Sequence, residues 1–379
     1  MKNAVTITMI FEASALNRDE GAGGNIITIK KLARGDGKVY SFISRPAIRH
    51  YLFTTLHRMN PERWKATPVS VSQKVVQFKI LMKAKEQNSA NEFYEIANTI
   101  KDSAELDVFG YMVTLGKEGE TGGNITRKAP LGITKAISLE PWQGDMAMYA
   151  NHELVRRGIS QGYDATPDPY NKEEHFSYYK VSFVLDLERI GKDEWYGQEI
   201  KKENEEILLT VVKGKNKSKN KIIKIPIEKG DILQNGKERV YFEVNEDEIK
   251  GRVEDILHAV KNGLTYHVSG ESEVIKPKFL IAALVKIPAP VFHTCVEAEK
   301  ISPLTLNSNL LDEGLRNEWI INDEKPVIYI YAAPGVRVET MESGLKWNVF
   351  LNKVLDELTE KTSESKTLVQ NNREEKQNE

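Results

Sequence analysis

Apolar and polar residues alternate from Ala4 to Phe11, with Val5, Ile7, Met9 and Phe11 on one side and Thr6 and Thr8 on the other. That period predicts an opening strand with one buried side. The period then changes. Ile48, Leu52 and Leu56 recur every four residues, which gives a helix with a buried stripe. Ser44 stands where a cap belongs, and Pro46 suits the first turn. Residues 72–84 and 91–101 read as two more helices, with Val75, Phe78 and Leu81 on one and Phe93, Ile96 and Ile100 on the other. Leu106–Thr114 and Leu131–Ser138 read as extended, and Phe176–Leu187 alternates again as a central strand. Asn245 with Glu248 three residues on makes a capping box for a helix running to Asn262. Its buried face is Ile249, Val253, Ile256, Leu257 and Val260, and Gly263 stops it. Leu264–Glu273 reads as a turn-rich loop, and Phe279–Ile287, apolar almost throughout, as a strand inside a sheet.

Stripped of insertions, the order is strand, helix, strand, strand, helix, strand. This predicts an α+β fold of ferredoxin-like or RRM-like layout, with helices on one face of an antiparallel sheet. The core is assigned to residues 1–52, 106–142 and 177–290. A helical insertion fills 53–105, and a long excursion fills 143–176. An insertion at 191–244 holds strands Glu206–Val212 and Ile222–Ile227 around a tip with lysines at 213, 215, 217, 219 and 221. That tip reads as a solvated turn that discourages edge pairing, with nucleic-acid contact as the alternative. An αβ appendage spans 291–358 and ends in a helix from about Glu342, and the polar tail 359–379 is expected to be disordered. The aromatic run with which RRM sheets stack bases is absent, so any RNA is held by loops and backbone.

The formal charge of the 379 residues is only −2, yet residues 1–60 carry nine Lys/Arg against four acids, a net of +5. A basic half in a neutral chain fits a protein that grips a polyanion on one face. Arg45 and Arg49 lie four apart, near the positive end of the predicted helix, which suits phosphate. Asn17, Arg18, Lys30, Lys31 and Arg34 precede them, and Ser44 caps the helix. Met146 and Arg156 in the excursion, and His267, Ser269 and Gly270 in the loop before the last core strand, complete the candidate RNA-binding set. The single cysteine, Cys295, excludes a disulfide framework and fits a reducing cytoplasm. No apolar run is long enough for a membrane helix, the N-terminus does not read as a signal peptide, and the scattered histidines give no metal site and no cofactor.

Several stretches together resemble a known family. ITMIFEASALNRDEGAGGN and KKLARGDGKVYSFISRPAIRHYL, then DVFGYM at 107–112 and RKAPLGITKAISLEP at 127–141, are similar, in that order, to the DevR-type backbone subunits of type I-B CRISPR Cascade. These belong to the Cas-seven family of the RAMP superfamily. The resemblance covers roughly residues 4–290. It implies a modified RRM palm, with 53–105 as helical fingers and 143–176 as a thumb hairpin. It also implies copies polymerised along a guide crRNA and held by its backbone, with other Cascade subunits as neighbours. Target DNA is then read by pairing with the guide. No enzymatic activity is expected. The alternative is a RAMP-type ribonuclease, for which Asp19, Glu20 and Asp36 are the candidate acids. No histidine lies beside them in sequence, and acids alone do not make a general acid/base site.

Overall fold

The computed structural model describes residues 3–14, 16–19, 25–72, 74–84, 91–115, 123–213, 219–234, 238–268, 271–322, 325–339 and 344–359. The lysine-rich tip (214–218) and the tail from residue 360 lie outside the described residues. The main sheet has eight strands: β1 (Ala4–Ala13), β2 (Lys31–Ala33), β3 (Val39–Ile43), β4 (Leu131–Ile133), β5 (Ala136–Ser138), β6 (Ser177–Asp186), β7 (Pro277–Val285) and β8 (Ile328–Ala332). Their order is β8-β7-β1-β6-β5-β3-β2, with β4 also paired to β6. β1 runs antiparallel to both neighbours, from Ala4 opposite Asp186 and Val285.

Helices α1 (Arg45–Met59) and α2 (Glu246–Asn262) cover one face and touch each other. The predicted stripe of Ile48, Leu52 and Leu56 is fully buried with Val5, Ile7, Met9 and Phe11 of β1 and with Val253, Ile256, Leu257 and Val260 of α2. Each such side chain contributes roughly 1.5–3 kcal/mol when fully buried. Ser44 Oγ accepts from Ala47 N at 3.4 Å, and Asn245 Oδ1 from Glu248 N at 2.8 Å. The capping box is only half made, because the Glu248 carboxylate turns to Arg63 (3.1 Å) and Arg252 (3.0 Å).

The second face of the sheet is also covered, which corrects the one-sided reading of β1. Ala4 and Ile10 pack with Phe279, Ile281, Phe292, Leu304, Leu311 and Ile328 in a second core. Thr8 Oγ1 meets Ser182 Oγ at 2.7 Å, and Ser182 in turn meets His293 Nδ1 at 2.8 Å, so these three side chains are paired beneath the cover, whereas the buried Thr6 hydroxyl has no partner among the described residues. Residues 291–358 are therefore not an appendage. β8 extends the sheet beyond β7, the segment between covers the sheet, and a helix over 347–359 buries Phe350, Leu351 and Val354 in the first core.

The expected fingers helices at 72–84 and 91–101 are strands instead: Val69–Ser72, Val75–Phe78, Leu81–Lys83 and Glu92–Ile96. Glu92–Ile96 pairs in parallel with Lys221–Pro226, so the insertions at 53–105 and 191–244 build one five-stranded sheet. Sequence-distant pairing of β-branched and aromatic residues overrode a weak helical period. Leu106–Thr114 is not one strand either. A short helix, Ala104–Phe109, capped by Ser103, gives way at Gly110 to the strand Tyr111–Thr114. Gly110 has φ 69°, and a Cβ there would lie 2.5 Å from the Arg127 carbonyl oxygen, so this turn requires glycine. The loop expected at Leu264–Glu273 is replaced by the paired strands Leu264–Val268 and Glu271–Ile275.

Beneath that turn lies a buried charge cluster. Asp107, fully buried, accepts from Arg252 Nη1 at 2.8 Å and from Gly191 N at 2.9 Å, and is ion-paired with Arg127. Arg127 also donates to the carbonyls of Asp107 (3.0 Å) and Arg189 (2.8 Å). Asp193 stands 3.4 Å from it and accepts from Tyr111 OH at 2.6 Å. Burial pushes the Asp193 carboxyl above its ordinary range, with the Arg127 charge opposing.

Candidate nucleic-acid interface

Residues 18–19 and 26–29, from the segment between β1 and α1, and residues 146–149 and 170–173 of the excursion form one four-stranded ribbon. Met146–Tyr149 pairs antiparallel with Tyr170–Glu173, which lies parallel to Ile26–Ile29, which pairs with Arg18–Asp19. The ribbon is tied to the start of α1 by Asn17, whose Oδ1 accepts from Ser44 N at 2.8 Å. The paired strands Leu264–Val268 and Glu271–Ile275 also lie against α1, through the first of them. Tyr51 stacks edge-on against Tyr266 and donates to the Leu16 carbonyl at 3.0 Å.

The basic residues of this region divide sharply. Lys31 Nζ lies 2.6 Å from Glu173 and 3.8 Å above the Trp142 ring. Arg18 donates to the Glu173 carbonyl and pairs with Glu174 at 3.4 Å. Lys30 pairs with Asp19 at 3.6 Å. Arg49 is half-buried, 3.5 Å from Glu105 and 4.8 Å over the Phe109 ring. Burial draws its pKa below the ordinary value, with Glu105 opposing, and the guanidinium stays charged. Arg45, by contrast, is exposed, with no acid in the first turn of α1 and no ion pair among the described residues. Arg34 is exposed too, 5.2 Å over the Tyr40 ring on the β2–β3 hairpin. Lys38 and Lys135 lie exposed nearby, Lys135 5.3 Å over Phe42.

The excursion carries a second kind of surface. Helix His152–Ser160 buries no residue: Leu154 and Ile159 are 62% and 59% exposed, and Arg156 is exposed. Met148 is 71% and Met146 51% exposed beside the stacked pair Tyr149–Tyr170, whose rings lie 5.4 Å apart. His267 lies in the strand Leu264–Val268, opposite Ser272; its side chain, and Ser269 and Gly270, fall outside the described residues.

Of the candidate acids, Asp36 accepts from Tyr40 OH at 2.6 Å and Lys38 N at 3.0 Å. The Tyr40 hydrogen bond, more than the nearby cations, holds its carboxyl below the usual range. It closes a hairpin turn. Asp19 pairs with Lys30, and Glu20 lies outside the described residues. Among the described residues no group of three His, Cys, Asp or Glu is placed to hold a metal ion. No helix among them is long and apolar enough to cross a membrane.

Sequence reading missed Glu173, Trp142, Ser41, His175 and Tyr179, which knit the excursion to the sheet. Ser41 Oγ lies 2.7 Å from both His175 Nδ1 and Tyr179 OH. The acidic pair Glu173-Glu174 against the basic pair Lys30-Lys31 was the available signal.

The family model described as "CRISPR-associated negative auto-regulator DevR/Csa2" matches residues 5–302. The chain belongs to the DevR/Csa2 family. A curated relative, the CRISPR-associated protein Cas7/Cst2/DevR of Myxococcus xanthus (strain DK1622), is 28% identical over 140 residues. That match takes in 32% of this chain and 46% of the relative, so the chain spans about half the length of the curated protein it matches. At 10% identity and a TM-score of 0.43, 94% of the chain overlays the whole of a chain described as "CRISPR RNA-guided surveillance complex, pre-nicking". A second, "CRISPR RNA-guided surveillance complex", gives 0.42 at 10% identity, over 93% of this chain and 98% of that one. The resemblance noted in the sequence and the family match agree, and both include the motifs DVFGYM and RKAPLGITKAISLEP.

Proposed function

We propose that this DevR/Csa2-family chain is a structural RNA-binding subunit of a type I-B CRISPR Cascade, acting in the cytoplasm. Copies lie head to tail along the guide crRNA beside other Cascade subunits. They hold the guide by its backbone and leave its bases to pair with target DNA. The observation that carries the reading is Arg45: an exposed guanidinium at a capped helix start, with no acid in that turn; Arg34 and Lys38 are exposed in the β2–β3 turn. Such a site takes phosphate without reading sequence. The core strands β7-β1-β6-β5 follow the ferredoxin-like order, which suits an RRM-like palm. The sheet face on which RRM proteins stack bases is occupied by residues 292–328, which also favours backbone binding. Residues 53–105 serve as fingers, built here of strands, and the excursion 143–176 as the thumb. Its exposed apolar residues suit a heterologous contact with the next copy.

The chain is proposed to lack nuclease activity, since Asp36 and Asp19 are engaged in a turn and an ion pair. Expression with a CRISPR array tests the reading: the chain should co-purify with RNA of uniform length and leave it uncut when Mg²⁺ or Mn²⁺ is added. Absence of RNA would reject RNA binding. Metal-dependent cleavage lost in Asp19→Ala or Asp36→Ala would favour the ribonuclease.

A further inference from the structure

Two residues counted as RNA-binding by their charge, Lys31 and Arg18, face inward. Their shared partner is Glu173, whose side chain is 7% exposed. One Glu173 oxygen accepts from Ile29 N at 2.9 Å, and both lie 2.6 Å from Lys31 Nζ. The Lys31 ammonium is thereby held between a buried carboxylate and the Trp142 ring, 3.8 Å away. Arg18 holds the Glu173 carbonyl from the other side and reaches Glu174, which also accepts from Tyr149 OH at 3.2 Å. Two residues on, His175 is bonded to Ser41 of β3. These bonds all converge on the return strand of the excursion. A lysine committed to a buried carboxylate and a ring would abandon both, and leave the carboxylate unpaired, to reach a phosphate.

We infer that Lys31, Arg18 and Glu173 are positioning residues, which fix the excursion against the N-terminal ribbon and influence RNA binding only through it. The inference rests on the RNA-binding reading above for its functional part; its structural part stands separately. It makes an unusual prediction about sign. Removing a negative charge from a surface that binds a polyanion ordinarily strengthens binding. Here Glu173→Gln, which keeps an oxygen for Ile29 N–H, releases Lys31 and yet weakens binding.

The test uses the full chain with single-stranded RNA of one length across a salt series, and limited proteolysis without RNA. Glu173→Gln and Lys31→Met should each weaken RNA binding on the order of tenfold. The double variant should be no weaker than either single one, and the salt slope should be unchanged in all three. Lys31→Arg, which keeps the charge, should restore affinity. Cleavage within 150–169 should be faster in Glu173→Gln and Lys31→Met than in the unmodified chain. Binding unchanged or tightened by Glu173→Gln, with a salt slope lowered by Lys31→Met, would overturn the proposal and make Lys31 a phosphate contact. If the unmodified chain binds no RNA, the functional reading falls, and proteolysis decides the positioning claim alone: equal cleavage rates would overturn it.

Discussion

Arg127 and Arg45 both lie in stretches that resemble the DevR-type subunits, and they stand in opposite surroundings. Arg127 is almost wholly buried, paired with Asp107 and within 3.4 Å of Asp193, with three backbone carbonyls on its remaining donors. Arg45 stands in solvent with no ion pair among the described residues. The first joins helix Ala104–Phe109, the strand Asn124–Arg127 and the turn before residue 192 into one unit, and through Asp107 and Arg252 draws in α2. The second is free to meet an anion. Residue type does not separate a cation that builds the fold from one that serves a ligand; burial and pairing do.

The largest effect should come from the buried side. Asp107→Ala strands Arg127 and Arg252 without their shared partner and should cost about 3–5 kcal/mol, read by chemical denaturation. Loss below about 1 kcal/mol would mean that the cluster is solvated and the contrast with Arg45 false. Arg49 lies between the extremes. Arg49→Ala removes a guanidinium over Phe109 and beside Glu105, and should cost about 1–2 kcal/mol of stability. If it left stability untouched but cut RNA affinity, Arg49 would belong with Arg45.

Acidification should sharpen the same contrast. His175 and His293 are both held below the ordinary 6.5, first by burial, with Lys180 adding to the effect at His293. The unfolded chain therefore binds more protons just below pH 6.5, so stability is full above that pH and falls as pH drops through it toward the folded values. Thermal unfolding between pH 7.5 and 5.5 should show the loss, and His175→Gln should flatten it. Smallest of all should be the effect of excising part of the excursion. Joining Tyr149 to Tyr170 by Asn-Gly suits their antiparallel register and removes a helix that buries nothing, so stability should change by less than about 0.5 kcal/mol. Assembly on RNA should be lost, and full-length complexes seen by mass measurement would contradict the thumb assignment.

Much of the core was legible. The four-residue stripe of α1, its Ser44 cap, the α2 face from Ile249 to Val260 and the apolar run of β7 all carry local signals, and they folded as read. The fingers were not legible, because Glu92–Ile96 owes its strand to a partner, Lys221–Pro226, more than a hundred residues away. The cover over the second face was missed for a related reason: Thr6 and Thr8 look solvent-facing, yet both are buried, Thr8 bonded to the sequence-distant Ser182 and Thr6 with its hydroxyl unpartnered among the described residues. In the candidate interface, charge alone could not tell Lys31, bound to Glu173, from the exposed Arg45 or Arg34.

The most direct measurement is the salt dependence of RNA affinity for the unmodified chain and Arg45→Ala, on two single-stranded RNAs of equal length and unrelated sequence. The unmodified chain should bind both alike, with log affinity falling linearly in log salt by about 0.7 per phosphate neutralised. Arg45→Ala should fold normally, within about 0.5 kcal/mol of the unmodified chain, bind more weakly and show a shallower slope by about one contact. An Arg45→Ala chain with unchanged affinity and slope, or a chain that binds one sequence and not the other, would contradict sequence-independent phosphate binding at the start of α1.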